Sequence, residues 1–157
     1  MKNKNQFSKR SLSRLIAVQS FYQYDFYQRQ TVVDNLAKQL VENYALSENE
    51  EIASYVKKID DNLLQSLLLG LILVIDKIDE EIAPFLKGEW KIETLPDLML
   101  QILRLATFEL KFMKDNPTKV IISEYVDLSA CFYELKQVTF VNSILQNIAN
   151  KNRPNND

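Results

Sequence analysis

Two glycines and four prolines in 157 residues leave this chain almost nothing from which to build the closely spaced tight turns of a β-sandwich or barrel. Average usage of these residues is about 7% and 5%, so the shortage favours long helices joined by few reversals. At 46% hydrophobic and 25% charged residues, the chain carries enough apolar material for one buried core. The expected fold class is all-α. The absence of histidine, with Cys131 as the one cysteine, removes the usual zinc ligand sets, intramolecular disulfides and Ser-His or Cys-His catalysis. No cofactor or metal site is expected.

Charge is unevenly placed. Lys2, Lys4, Lys9, Arg10 and Arg14 precede Tyr24 without a single acid, and 14 cations then face 21 acids, so a net charge of −2 conceals a basic end on an acidic body. The most apolar run, Leu63 to Ile75, contains Gln65 and Ser66 and is well short of the roughly 20 residues that span a bilayer. It reads as a buried helix. Gln19 and Ser20 interrupt the apolar residues after Leu15, so the basic start lacks the core of a secretory signal, and the expected location is cytoplasmic without membrane contact.

Apolar spacing predicts a first helix from Ser8 to about Gln28, with Leu12, Leu15, Ile16, Tyr22 and Phe26 on one side, and a second from Thr31 to Tyr44. Ser47 to Glu50 fits a capping box that starts a third. A central helix, apolar nearly all round in its first half, is expected from Asn62 to Leu86, stopped by Pro84 and Gly88. Lys87 to Glu93 then forms a loop carrying Trp90. The next helix is expected from a Thr94 cap to about Lys114, another from between Thr118 and Ser123 to Phe132, and a last from Val138 to Asn150. The expected organisation is a flexible basic arm over 1–8, one helical domain over 9–150 and a polar, disordered tail over 151–157.

Three constellations stand out. Arg10, Arg14, Ala17 and Phe21 fall on one helical strip, and arginines beside aromatic rings suit single-stranded RNA. Spacing alone favours a plainer alternative in which Phe21 is core and the cations are merely solvated. Asp76, Asp79 and Glu80 share a helix surface with Lys77 among them, which reads as a solvated face rather than an acid/base or Mg²⁺ site. Arg104 and Glu109 lie in an otherwise apolar helix and need buried partners, with Glu124 a candidate for Arg104.

Five segments resemble the NusB family in order and spacing: Ala17 to Asp25, Leu67 to Gly70, Ile102 to Leu110, Pro117 to Leu128, and Phe140 to Leu145. The resemblance implies a NusB-like bundle of about seven helices in two packed subdomains, without enzyme activity. It further implies a transcription antitermination factor that binds the boxA element of nascent ribosomal RNA. Ribosomal protein NusE is the implied partner, with RNA polymerase engaged indirectly. Lys9, Arg10, Arg14, Thr139, Phe140 and Asn142 are thereby candidates for RNA binding, and Tyr22 and Met99 for partner binding. Ser11 and Leu12 stand where further arginines are common, Ser143 where glycine is usual, and Met99 where a carboxylate is frequent. A similar helical domain occurs fused to an RNA cytosine methyltransferase, but no Gly-rich cofactor loop follows here. A protein-interaction bundle without specific RNA binding is the alternative, and a homodimer is compatible with either.

Overall fold

A computed structural model describes residues 8–155, so Lys2, Lys4 and most of the expected basic arm lie outside the described residues. Eight α-helices are present among them: α1 Lys9–Phe26, α2 Val33–Ala45, α3 Glu50–Val56, α4 Asp61–Ile72, α5 Ile75–Ile82, α6 Asp97–Phe112, α7 Thr118–Phe132 and α8 Leu135–Asn152. Single 3-10 turns cover Ala83–Phe85 and Ile92–Thr94. The chain divides into two compact units, Met1–Leu69 and Gly70–Asp157.

The count exceeds the expected seven because the long central helix is broken earlier than Pro84. Val74 leaves helical geometry at φ −134°, and the preceding turn tightens through i→i−3 hydrogen bonds from Leu73 N–H to Gly70 O and from Val74 N–H to Leu71 O. Leu73 and Val74 are ordinary apolar residues, so nothing in the local sequence announces the break. Several caps also differ from expectation. Asn49, rather than Ser47, caps α3, its Oδ1 accepting the N–H groups of Glu51 and Ile52 at 3.0 and 3.4 Å. Thr94 closes the turn before α6, its hydroxyl oxygen accepting the Lys91 N–H, and Pro96 takes the N-cap position. Helix α7 begins at Thr118, directly after Pro117, so Val120, Ile121 and Ile122 are helical.

In the first unit, α1 packs on α2 and α3. Ser8 caps α1, accepting the Ser11 N–H at 3.0 Å. Ile16, Ala17, Val18 and Phe21 are buried, as are Leu36 and Ala37 of α2 and Val56 of α3. Each large apolar side chain so buried contributes about 1.5–3 kcal/mol. Polar ties fix the register: Tyr44 Oη donates to Gln19 Oε1 at 2.9 Å, and Gln65 Nε2 to Asp34 Oδ1 at 3.2 Å.

In the second unit, α6 contacts α5, α7 and α8, and every residue from Met99 through Leu110 is buried. A helix enclosed on all sides cannot leave its charges in water. Arg104 therefore meets Asp79 of α5 in a bidentate pair, Nε to Oδ1 and Nη2 to Oδ2 both 2.7 Å, with Gln101 Oε1 at 3.2 Å from Nη1. Asp79, expected on a solvated face, is a carboxylate that holds this arginine. Glu109 accepts from Asn116 Nδ2 at 3.0 Å and from the Tyr125 hydroxyl.

The end of α6 is closed from the far end of the chain. The last helix runs past Asn150 to Asn152, and Arg153, expected in an unpacked tail, is only 5% exposed. Its Nε donates to Leu110 O at 2.9 Å, Nη2 to Met113 O at 2.9 Å and Glu109 O at 3.2 Å, and Nη1 to Asn116 O at 2.5 Å. Glu109 O and Met113 O also accept the N–H groups of Met113 and Asn116, so the guanidinium fork adds to a backbone cap there and supplies Leu110 O near the helix C-terminus, where intrahelical donors run out.

Nearby, Lys111 Nζ lies 2.5 Å from Glu81 Oε1 and Lys151 Nζ 3.5 Å from Oε2. The Lys111 hydrogen bond, opposed in part by burial, holds the Glu81 carboxyl below its ordinary 4.5. A carboxyl that ionises more readily folded than unfolded stabilises the fold above that ordinary value, and its contribution disappears as pH falls through the folded value.

Three outcomes follow from this packing. Arg153→Ala strands buried carbonyls and lowers unfolding free energy by at least about 2 kcal/mol in urea titrations. Arg153→Lys recovers little, because one ammonium cannot reproduce the fork; full recovery by lysine would show the geometry to be unimportant. A Cβ on Gly70 would sit 2.1 Å from Phe108 Cζ. Gly70→Ala is accordingly destabilised by about 1–3 kcal/mol, and Phe108→Leu in the same chain relieves part of the loss. A more stable Gly70→Ala chain would contradict this. Finally, thermal melts should separate wild type from Glu81→Gln near neutral pH and bring them together as pH falls through the lowered folded value of the carboxyl. A gap that is constant with pH would rule out the carboxylate as its source.

Candidate nucleic-acid interface

The start of α1 is a cationic helix N-terminus. Its first turn contains Lys9 and Arg10 and no acid, and both side chains are exposed. Cations at the positive end of a helix dipole are locally unfavourable, so they add to the dipole's field instead of cancelling it. The segment before α4 holds this turn in place. Asp60 N–H donates to Lys9 O at 3.3 Å, Ser13 Oγ donates to Asp60 O at 2.7 Å, and the Asp60 carboxylate lies 3.8 Å from Arg10 Nη1. Arg10 remains 46% exposed despite that contact.

Arg14 does not join them. It is 1% exposed, among the largest fully buried side chains of the protein, and Ala17 and Phe21 on the same strip are buried as well. The strip read as a basic and aromatic RNA surface is therefore an inward face after its first residue. A direct contact from Arg14 to RNA is corrected to an interior position. On the opposite side Phe26 is 71% exposed, and Tyr22 is also exposed, about three turns beyond Arg10 and roughly 18 Å along the axis at 1.5 Å per residue.

The other RNA candidates lie in the second unit, on α8. Thr139 and Asn142 are exposed and Phe140 is half-buried. Asn142 borders a groove of about 660 Å³ between α7 and α8, with Thr118, Lys119, Ser123, Asp127 and Gln146. Phe140 packs against Trp90, ring centroids 6.2 Å apart and planes inclined by 48°. The sequence marked Trp90 as the sole tryptophan in a loop without giving it a role. Met99, a partner-binding candidate, is 3% exposed, and its N–H donates to Tyr133 Oη at 3.1 Å. Its side chain is not offered to a partner.

Chemistry of other kinds finds little support in the described residues. No group of three or more histidine, cysteine, aspartate or glutamate side chains there could hold a metal ion. Burial, reinforced by Asp127, pushes the Cys131 thiol up, which disfavours the nucleophilic thiolate. No described helix is long and apolar enough to cross a membrane.

The model of the NusB family matches residues 11–150. The transcription antitermination protein NusB of Caulobacter vibrioides is 32% identical over 147 residues, covering 92% of this chain and 95% of the relative. That of Rickettsia bellii is 33% identical over 153 residues, covering 95% of each. The solved structure of T. maritima NusB superposes with a TM-score of 0.70 at 24% identity, covering 98% of this chain and 96% of the other, a likeness of fold. Over nearly its whole length, then, in sequence and in helical architecture, this chain belongs to the NusB family of transcription antitermination proteins.

Proposed function

We propose that the protein is a cytoplasmic, non-enzymatic RNA-binding adaptor that takes the single-stranded boxA element of nascent ribosomal RNA. It does so together with ribosomal protein NusE and thereby keeps RNA polymerase transcribing. The observation that carries this reading is the exposed, acid-free first turn of α1, where Lys9 and Arg10 stand on a chain that is otherwise acidic. Cations confined to one end attract phosphate there, while the acidic remainder discourages indiscriminate coating by RNA. Thr139, Phe140 and Asn142 supply the hydroxyl, ring and amide with which unpaired bases are distinguished. Tyr22, exposed farther along α1, is the residue proposed to meet NusE.

The burial of Arg14 favours one rival, a protein-interaction bundle in which the remaining cations are incidental. Fluorescence anisotropy of a short boxA-like RNA and a scrambled control, with and without NusE and at two salt concentrations, separates the two. The adaptor prefers boxA, binds it more tightly with NusE, and in a Lys9→Ala/Arg10→Ala chain loses affinity and up to about two units of the salt slope. Equal, salt-labile binding of both RNAs, unaffected by NusE, would establish the rival.

A further inference from the structure

We infer that Trp90 and Phe140 together form a stacking platform for one unpaired RNA base, with Trp90 the principal ring. The inference rests on the RNA-binding reading above and adds a residue and a mode of recognition to it. Trp90 is 45% exposed, although burial of a ring this large would be favourable, and its ring lies beside that of Phe140. The two planes are tilted, so they do not close on one another, and the outward part of the indole remains available to a third ring.

The segment carrying the indole is fixed. Gly88 adopts φ +69°, a conformation that disfavours any side chain, and the turn closes through Trp90 N–H to Lys87 O at 3.4 Å. On the other side Lys91 is held three ways. Its N–H donates to Thr94 Oγ1 at 2.9 Å, and its carbonyl accepts from the N–H groups of Thr94 and Leu95, both at 3.0 Å. A ring anchored in this way loses little further freedom when it stacks, so more of the stacking energy appears as affinity.

The surroundings favour a nucleobase over a phosphate or an apolar peptide. An open cavity of about 440 Å³ is bordered by Trp90, Lys87, Gly88, Glu89 and Thr94, so polar side chains line it together with the indole. Exposed charges on the segment balance, Lys87 and Lys91 against Glu89 and Glu93, so there is no concentrated positive field to capture phosphate. Exposed Lys136 and Thr139 on α8 lie one turn and one residue before Phe140, where a backbone leaving the platform can be met. Stacking on aromatic faces is the recognition mode that suits such a site.

The test uses the fact that Trp90 is the only tryptophan, so emission excited selectively from tryptophan, past the absorption of the seven tyrosines, reports this position alone. The boxA-like single strand is titrated while anisotropy and tryptophan emission are both followed, with a duplex RNA of the same sequence as the control whose bases are already stacked. The expected result is quenching that tracks anisotropy for the single strand and is absent for the duplex. Trp90→Ala should weaken binding at least about 5-fold, with Trp90→Phe restoring most of it. The salt slope should stay unchanged in Trp90→Ala, because no phosphate contact is lost. Binding by anisotropy with unquenched emission and undiminished affinity in Trp90→Ala overturns the platform and leaves the RNA reading intact. Failure of any RNA to bind overturns both. Quenching by NusE and not by RNA assigns the ring to a protein contact and likewise overturns the proposal. Should Trp90→Ala fold poorly, wild-type quenching and the Trp90→Phe affinity decide.

Discussion

From Met99 to Leu110 helix α6 has no face to water, and the second unit is organised by that constraint. Twelve consecutive buried residues include an arginine, a glutamate, a glutamine and a threonine, so burial and charge neutralisation have to be achieved by the same neighbours. Helix α5 brings Asp79 to Arg104, α7 brings Tyr125 to Glu109, and the segment after α6 brings Asn116 to the same carboxylate. Each of these ties also sets the register of the helix that supplies it. A slip by one residue would leave a charge unpaired in the interior, at a cost of several kcal/mol. Apolar packing gives the unit its cohesion, and the buried polar pairs define which packing is adopted.

Much of the architecture was legible in the sequence for simple reasons. Scarce glycine and proline excluded sheets, and clean apolar periodicity located α2 and the middle of every long helix. The caps and breaks were harder, because they depend on a choice among nearly equivalent local options. Ser47 and Asn49 are both good caps, and the chain uses Asn49. The break at Val74 has no sequence mark, since it is made by tertiary packing of residues whose own propensity is unremarkable. Asp79 and Arg153 were illegible for the opposite reason, being charged residues whose partners are distant in sequence.

The candidate interface was legible in part. Lys9 and Arg10 are where a basic helix start should be, exposed and without competing acids in the turn. Arg14 is one turn farther on, and helical spacing alone cannot tell an outward strip from an inward one when both sides of a helix carry apolar residues. Trp90 presents a related difficulty. Its significance comes from lying beside Phe140, fifty positions away, and from a glycine-dependent turn that keeps it there.

Arg153 makes the closing of α6 wait for α7 and α8 to be synthesised. The donor that satisfies Leu110 O lies 43 residues downstream of it. At elongation rates of about 5–20 residues per second, that separation is roughly 2–9 s during which the helix exists without its terminal partner. Through that interval Leu110 O lacks the guanidinium that meets it in the folded chain, and the most buried helix of the unit is without its terminal tie. Cooperative closure of the second unit is thereby deferred until its final helix has been made, which gives a nascent chain a defined period of exposure to chaperones.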